Sequence, residues 1–120
     1  WESQGARVAA MPPDRHDQVV AALSHLPHLV AYALMDAVAD LVDEEALGYA
    51  AGGFKDTTRI AASDARVWRD IFLANREALR DTLGSFRSAL ERLEALLTPG
   101  AEEELERELD RIRRARERLR

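Results

Sequence analysis

A polar stretch from Gly52 to Trp68 brings the residue types that do chemistry closest together in this chain. It opens with two glycines, which can adopt backbone conformations with positive φ that other residues avoid. Short polar and charged side chains follow: Asp56, Thr57, Thr58, Arg59, Ser63 and Asp64. Inside a helix such groups compete for backbone hydrogen bonds, so the pattern predicts an ordered, functional loop. The alternative is a plain connection, in which the glycines end one helix and Ser63 or Asp64 caps the next.

A second polar group lies within a stretch, Val19 to Met35, that contains no charged residue. Its members, together with one flanking acid, follow helical spacing: His25, His28, Tyr32 and Asp36. This spacing places them along one stripe of a helix. One interpretation is that they are core polar groups satisfied by neighbouring backbone. A His-x-x-His metal pair is a weaker interpretation, because no third ligand is evident.

The elements that position these groups are predicted to be helices, arranged as an all-α helical bundle around a long central helix. The stretch from Val19 to Met35 is apolar nearly all round, and such a helix is buried on every side. In a chain of 120 residues a second copy supplies that burial most easily, so a homodimer is expected. A membrane span is rejected, because Pro27 and the polar residues beside it interrupt the middle of the stretch. Pro27 also predicts a kink near Leu23 to Ser24.

The other elements follow from breakers and caps. The central helix should begin near Pro13 or Asp14, after a leading segment over 1–12 with short β-like pieces in Ala6 to Ala10. Further helices are predicted over Glu44 to Ala50, from Asp64 or Ala65 to about Asn75, over Arg76 to Leu97, and over Ala101 to Arg120.

Composition excludes several classes of function. There is no cysteine, so neither a disulfide framework nor a thiolate metal site is available. The net charge is −5 without an isolated basic run, so nucleic acid is not an expected partner. The glycines at 5, 48, 52, 53, 84 and 100 cannot form Gly-x-Gly-x-x-Gly, so the chain is not expected to bind NAD alone. No signal peptide is visible at the start, and a cytoplasmic location is expected.

Two motifs together carry a resemblance to a known family. GGFKDTTRIAASDARVW (Gly52 to Trp68) and HDQVVAALSHLPHLVAYAL (His16 to Leu34) resemble the C-terminal domain of prephenate dehydrogenases, including the arogenate dehydrogenases. The resemblance runs from about Trp1 to about Leu97, with a family core over 13–97 and a further helix over 101–120. Ala65 departs from the pattern, since proline is expected after the Ser-Asp pair and would preset the first helical turn.

The resemblance implies the function of a larger enzyme. That enzyme uses NAD or NADP to decarboxylate prephenate oxidatively to 4-hydroxyphenylpyruvate, on the route to tyrosine. A separate N-terminal dinucleotide-binding domain would carry the cofactor and the catalytic histidine, so no catalytic residue is assigned to this chain. The chain itself would supply dimerisation and part of the substrate pocket, and would be inactive alone.

The resemblance also implies roles for six residues in substrate binding. Arg59 would hold a substrate carboxylate, oriented by Asp56. Ser24, His25 and His28 would line the pocket from the kinked helix, and Trp68 would close it, with the other subunit as its possible source. Tyrosine, which resembles the product, is a possible feedback inhibitor that would contact His28.

Two other classes of protein are kept as alternatives. One is a non-catalytic helical module that dimerises or senses an aromatic amino acid. The other is a helical chorismate mutase, which is disfavoured because such sites need several basic residues facing one cavity. The choices between prephenate and arogenate, and between NAD and NADP, stay open at the level of sequence.

Overall fold

The computed structural model describes residues 11–119, and every regular element in that range is helical. The predicted all-α class is therefore confirmed. The helices are α1 Pro13–Val20, α2 Leu26–Leu41, α3 Glu44–Leu47, α4 Gly52–Thr58, α5 Ala65–Ala74, α6 Arg76–Ala95 and α7 Glu102–Glu117. A π-helical turn, Ala21–His25, joins α1 to α2, and a 3₁₀ turn, Arg59–Ala62, follows α4. The β-like pieces predicted in Ala6 to Ala10 lie outside the described residues.

The π-helical turn lies where the sequence predicts a disturbance of the central helix. Leu26 donates its N–H to the carbonyl of Ala21, five residues back. Pro27 has no N–H, and its ring crowds the carbonyl four residues earlier, which belongs to Leu23. A one-turn π-helical widening relieves this crowding, because it inserts an extra residue into the helical ladder. The helix continues through it from Pro13 to Leu41, and the angle of the predicted kink stays a prediction.

The prediction of a loop from Gly52 to Trp68 is wrong, because most of this stretch is helical. Gly52 and Gly53 begin α4 with ordinary backbone angles, and Gly100 is the glycine with positive φ among the described residues. Thr57 and Thr58 donate their hydroxyls to the carbonyls four residues back, at 2.8 and 2.7 Å. Helical threonines make this bond without leaving the helix, so they do not compete with its backbone.

Two predicted helix starts agree with the structure, whereas the helices predicted to end at Ala50 and Leu97 end earlier, at Leu47 and Ala95. The central helix starts at Pro13, and the α5 helix starts at Ala65 after an Asp64 cap, as the alternative interpretation of the polar stretch expected. That interpretation is wrong about the glycines, since α3 ends at Leu47, before they begin α4.

The chain packs as two compact units, one up to Thr82 and one from Leu83. In the first unit α2 packs against α4 and against the 3₁₀ turn. Tyr32 of α2 ties these elements together by donating its hydroxyl to the carbonyl of Ser63, 3.0 Å away. The predicted division into a family core over 13–97 and a separate terminal helix stays a prediction.

The central helix leaves much of its apolar surface exposed in the protomer. Pro13–Leu41 has 29 residues and a mean hydropathy of 1.3 in its most apolar window, of which 11% is buried. By length and composition alone it would pass as a membrane span. Ala33, Ala37 and Leu41, spaced by four residues, lie along one face and are all exposed. An exposed apolar stripe on a helix of this hydropathy is typical of a surface that another molecule covers.

Candidate functional site

Trp68 lies at the centre of the candidate site. The Asp64 carboxylate caps α5 by accepting the N–H groups of Arg66 and Val67, at 2.9 and 3.1 Å. This cap starts the helix without the proline expected at Ala65, and it places Trp68 one turn later. The indole stacks on the ring of His28, with centroids 3.5 Å apart and planes 13° apart. The Trp68 that covers His28 therefore belongs to the same chain.

His25 approaches the same indole from its edge and is nearly enclosed. Its ring centroid lies 6.3 Å from that of Trp68 at an angle of 80°, and the residue is 9% exposed. Asn75, at the junction of α5 and α6, places its amide nitrogen 3.3 Å from Nδ1 of His25. Burial lowers the pKa of His25, and a nearby His28 lowers it further. His25 is therefore held as a neutral imidazole at neutral pH.

The lowered pKa of His25 predicts a loss of stability in mild acid. Between the lowered value and the ordinary pKa of 6.5, the unfolded chain binds more protons at this residue than the folded chain. The stabilisation is therefore complete above about pH 6.5 and is lost as pH falls through the folded pKa. We expect the melting temperature to fall over this window, before the Glu108 carboxylate of α7, whose ordinary pKa is 4.5, takes part. Thermal melts at fixed protein concentration measure this.

The matched control for this titration is His25→Gln, which keeps a polar side chain but cannot be protonated. Its melting temperature is expected to change less with pH over the same window, whatever its absolute value. If the melting temperatures of the two proteins changed equally with pH, the assignment to His25 would be contradicted.

The side chain of His28 contacts the backbone carbonyl of Ser24 and not its hydroxyl. Nδ1 of His28 lies 2.9 Å from the carbonyl oxygen of Ser24, one turn earlier on the same helix. Both residues are half-buried. Ser24 therefore fixes the ring of His28, and the stack on Trp68 fixes it from the other side.

Arg59 and Asp56 lie on the neighbouring turns, with both side chains exposed. Arg59 begins the 3₁₀ turn that packs against α2, the helix that carries His28. Among residues 11–119 no ion pair joins Arg59 to Asp56 or to another carboxylate. The expected orientation of Arg59 by Asp56 stays a prediction.

Metal binding finds no support in the part of the chain that the structure describes. No group of three or more His, Asp or Glu side chains is arranged there to hold an ion. Nδ1 of each central histidine faces a protein group instead, Asn75 for His25 and the Ser24 carbonyl for His28.

Sequence reasoning missed the role of Asn75, which the sequence marks only as the approximate end of a helix. Its amide nitrogen donates to the carbonyl of Asp17, 2.9 Å away, as well as facing His25. These partners are 58 and 50 residues away in the chain. No local pattern could have indicated them.

Comparison with known proteins identifies related chains. A family model described as the dimerization domain of prephenate dehydrogenase matches residues 12–111. A cyclohexadienyl dehydrogenase of Zymomonas mobilis is 42% identical over 96 residues, which are 78% of this chain and 33% of that protein. A prephenate dehydrogenase of Bacillus subtilis is 41% identical over 78 residues, 63% of this chain and 21% of that protein.

Solved structures give the same family. Prephenate dehydrogenase from A. aeolicus, in complex with hydroxyphenyl propionate and NAD+, superimposes with a TM-score of 0.84 at 42% identity, covering 92% of this chain and 39% of that one. Synechocystis arogenate dehydrogenase gives 0.84 at 32% identity, covering 92% and 41%. The chain thus spans about a third of the length of its first curated relative. It belongs to the family of the prephenate dehydrogenase dimerization domain.

Proposed function

We propose that this chain is the dimerisation and substrate-binding part of an NAD(P)-dependent dehydrogenase acting on prephenate, or on its amino analogue arogenate. With prephenate, hydride transfer and loss of carbon dioxide would give 4-hydroxyphenylpyruvate, on the route to tyrosine. The observation that supports this most is the cluster of His28 and His25 around Trp68, on a helix packed against the turn that carries Arg59. The likeness of the chain to dehydrogenases favours this over a sensor module or a chorismate mutase.

The chemistry of the cluster suits an anionic ring compound. The rings of Trp68 and His28 stack on each other, and an aromatic pair of this kind can bury further area against a ligand ring. Arg59 offers a planar fork that can make two charge-assisted hydrogen bonds to a carboxylate. A nearby cleft of about 460 Å³ is less suitable, because its lining contains Asp14, Asp17, Glu77 and Asp81 against one arginine, Arg76. Its negative charge would repel a carboxylate.

The second element of the proposal is a homodimer formed through the exposed face of the central helix. The family to which the chain belongs is described by its dimerisation, and 11% of the apolar window of Pro13–Leu41 is buried in one protomer. A second copy would remove this surface from water. We further propose that tyrosine binds at His28 as a feedback inhibitor and that the protein works in the cytoplasm, where NAD(P) is available.

The test of the proposed function is kinetic. The full-length protein should reduce NAD+ or NADP+ in the presence of prephenate or arogenate, followed by the absorbance of the reduced cofactor. Added tyrosine should lower the rate, and His28→Ala should weaken that inhibition. The proposal would be overturned if the protein turned over none of the four pairs of substrate and cofactor.

The 120-residue chain alone is expected to bind no NAD. Its sequence contains no Gly-x-Gly-x-x-Gly turn, which a dinucleotide site uses to approach the pyrophosphate closely. Calorimetric titration of the chain with NAD+ should therefore give no heat of specific binding, whereas the full-length protein should give a saturable signal. Saturable micromolar binding to the 120-residue chain would contradict this assignment of the cofactor site.

A further inference from the structure

His25 and His28 each present Nδ1 to a group whose hydrogen-bonding character is fixed. The carbonyl oxygen of Ser24, 2.9 Å from Nδ1 of His28, can only accept. Nδ1 of His28 must therefore carry the proton and donate it. In the neutral ring this leaves Nε2 of His28 as a free acceptor.

The partner of His25 has the opposite character. Asn75 could face its neighbours with either amide atom, so its orientation has to be deduced from the hydrogen-bond network. The carbonyl of Asp17, 2.9 Å away, only accepts, and this identifies the nearer amide atom as nitrogen. The same nitrogen lies 3.3 Å from Nδ1 of His25, so its second hydrogen is donated there. Nδ1 of His25 accepts, and its proton lies on Nε2.

We propose that His25 and His28 are held in opposite neutral tautomers, and that Asn75 is the positioning residue that sets the tautomer of His25. His25 then offers an Nε2–H donor and His28 offers an Nε2 acceptor. The two rings lie around one indole, with His25 at its edge and His28 on its face. A ligand that reached both atoms would need an acceptor oxygen, such as a carboxylate or carbonyl, and a donor, such as a hydroxyl or an ammonium group.

The tautomers follow from the hydrogen bonds alone, whereas the choice of ligand rests on the proposed function. Prephenate and arogenate both carry carboxylate oxygens, a ring hydroxyl and, in arogenate, an ammonium group. They therefore satisfy a donor and an acceptor at once. A ligand with acceptors only would remove Nε2 of His28 from water without supplying a donor, and that desolvation costs binding free energy.

The test is a long-range ¹H–¹⁵N correlation spectrum of the 120-residue chain with ¹⁵N-labelled histidine, at about pH 8, where imidazole is neutral. Protonated and unprotonated ring nitrogens have distinct shifts, so each tautomer is read directly. We expect the proton of His25 on Nε2 and that of His28 on Nδ1. A proton on Nδ1 of His25, or on Nε2 of His28, would overturn the proposal.

Asn75→Asp tests the positioning role, because a carboxylate of the same shape can only accept. It should move the proton of His25 to Nδ1 and raise the pKa of His25, while the tautomer of His28 stays unchanged. Asn75→Gln keeps an amide donor and should retain the Nε2–H form. Since both variants disturb the bond to Asp17, melting temperature does not distinguish them, and the tautomer does. An unchanged tautomer in Asn75→Asp would overturn the role of Asn75.

The kinetic arm separates this inference from the proposed function. In the full-length enzyme Asn75→Asp should lower kcat/KM by about tenfold or more, the value of one lost hydrogen bond to a charged group. Asn75→Gln should recover most of that loss. Equal losses in the two variants would contradict the positioning role. Correct tautomers in a protein without dehydrogenase activity would overturn the proposed function and leave the tautomer assignment standing.

Discussion

Arg59→Ala in the full-length enzyme is expected to lower kcat/KM for prephenate by more than about thirtyfold, with the fold and the dimer unchanged. Losing one partner of a desolvated charge pair typically costs about 2 to 5 kcal/mol, and each 1.4 kcal/mol corresponds to about tenfold. Arg59 is exposed, so its loss removes little packing from the protomer. Steady-state kinetics measure the effect, with thermal melts to confirm that the variant is folded.

Two control variants sharpen the Arg59 experiment. Arg59→Lys should recover only part of the activity, because lysine cannot reproduce the planar fork of guanidinium. Arg66→Ala removes another exposed arginine, on α5, and should leave kcat/KM near its original value. If Arg59 only braced its turn through Asp56, Asp56→Ala would be as damaging, with lower melting temperatures in both. Near-normal kcat/KM in Arg59→Ala would end the carboxylate assignment.

Ala37→Glu is expected to convert the dimer into monomers. Ala37 is exposed in the protomer and lies on the apolar face with Ala33 and Leu41, so a glutamate there is harmless to one folded chain. In the dimer it would be buried without a partner, and an uncompensated buried charge typically costs about 3 to 5 kcal/mol. A two-fold interface contains the change twice. Sedimentation at micromolar concentration should show a dimer for the original chain and a monomer for the variant.

Ala39→Glu is the matched control, because it makes the same change on the same helix. Ala39 is also exposed, but two residues along a helix it points to nearly the opposite side. It should leave the dimer largely intact. A monomeric original chain, or a dimer that tolerates Ala37→Glu, would contradict dimerisation through this face.

The helices could be predicted from the sequence wherever a local signal marks their ends. Pro13 begins the central helix and Asp64 caps α5, because each signal acts on backbone groups within the next turn. The stretch after Gly52 differs from the prediction because its threonines are an ambiguous local signal. Threonine marks a loop or a helix depending on where its hydroxyl bonds, and in α4 both hydroxyls bond back to the helix itself.

The site was only partly predictable, because its geometry depends on packing between distant segments. Helical spacing places His25 and His28 on one stripe, but it does not identify their neighbours. Trp68 comes from α5 and Asn75 from the junction that follows it, and their contacts exist only once these segments pack on the central helix. Arg59 and Asp56 entered through resemblance to a family, since no spacing rule relates them to the histidines.

The π-helical turn between α1 and α2 sets the rotational phase of the central helix. A helix turns by about 100° per residue, so the one extra residue of a π turn rotates everything after it relative to everything before it. Asp17, whose carbonyl binds Asn75, precedes the turn, and His28, which stacks on Trp68, follows it. Both contacts are therefore expected to depend on this phase. A one-residue deletion within Ala21–His25 would therefore rotate one half of the site against the other, although the chain would lose only one residue.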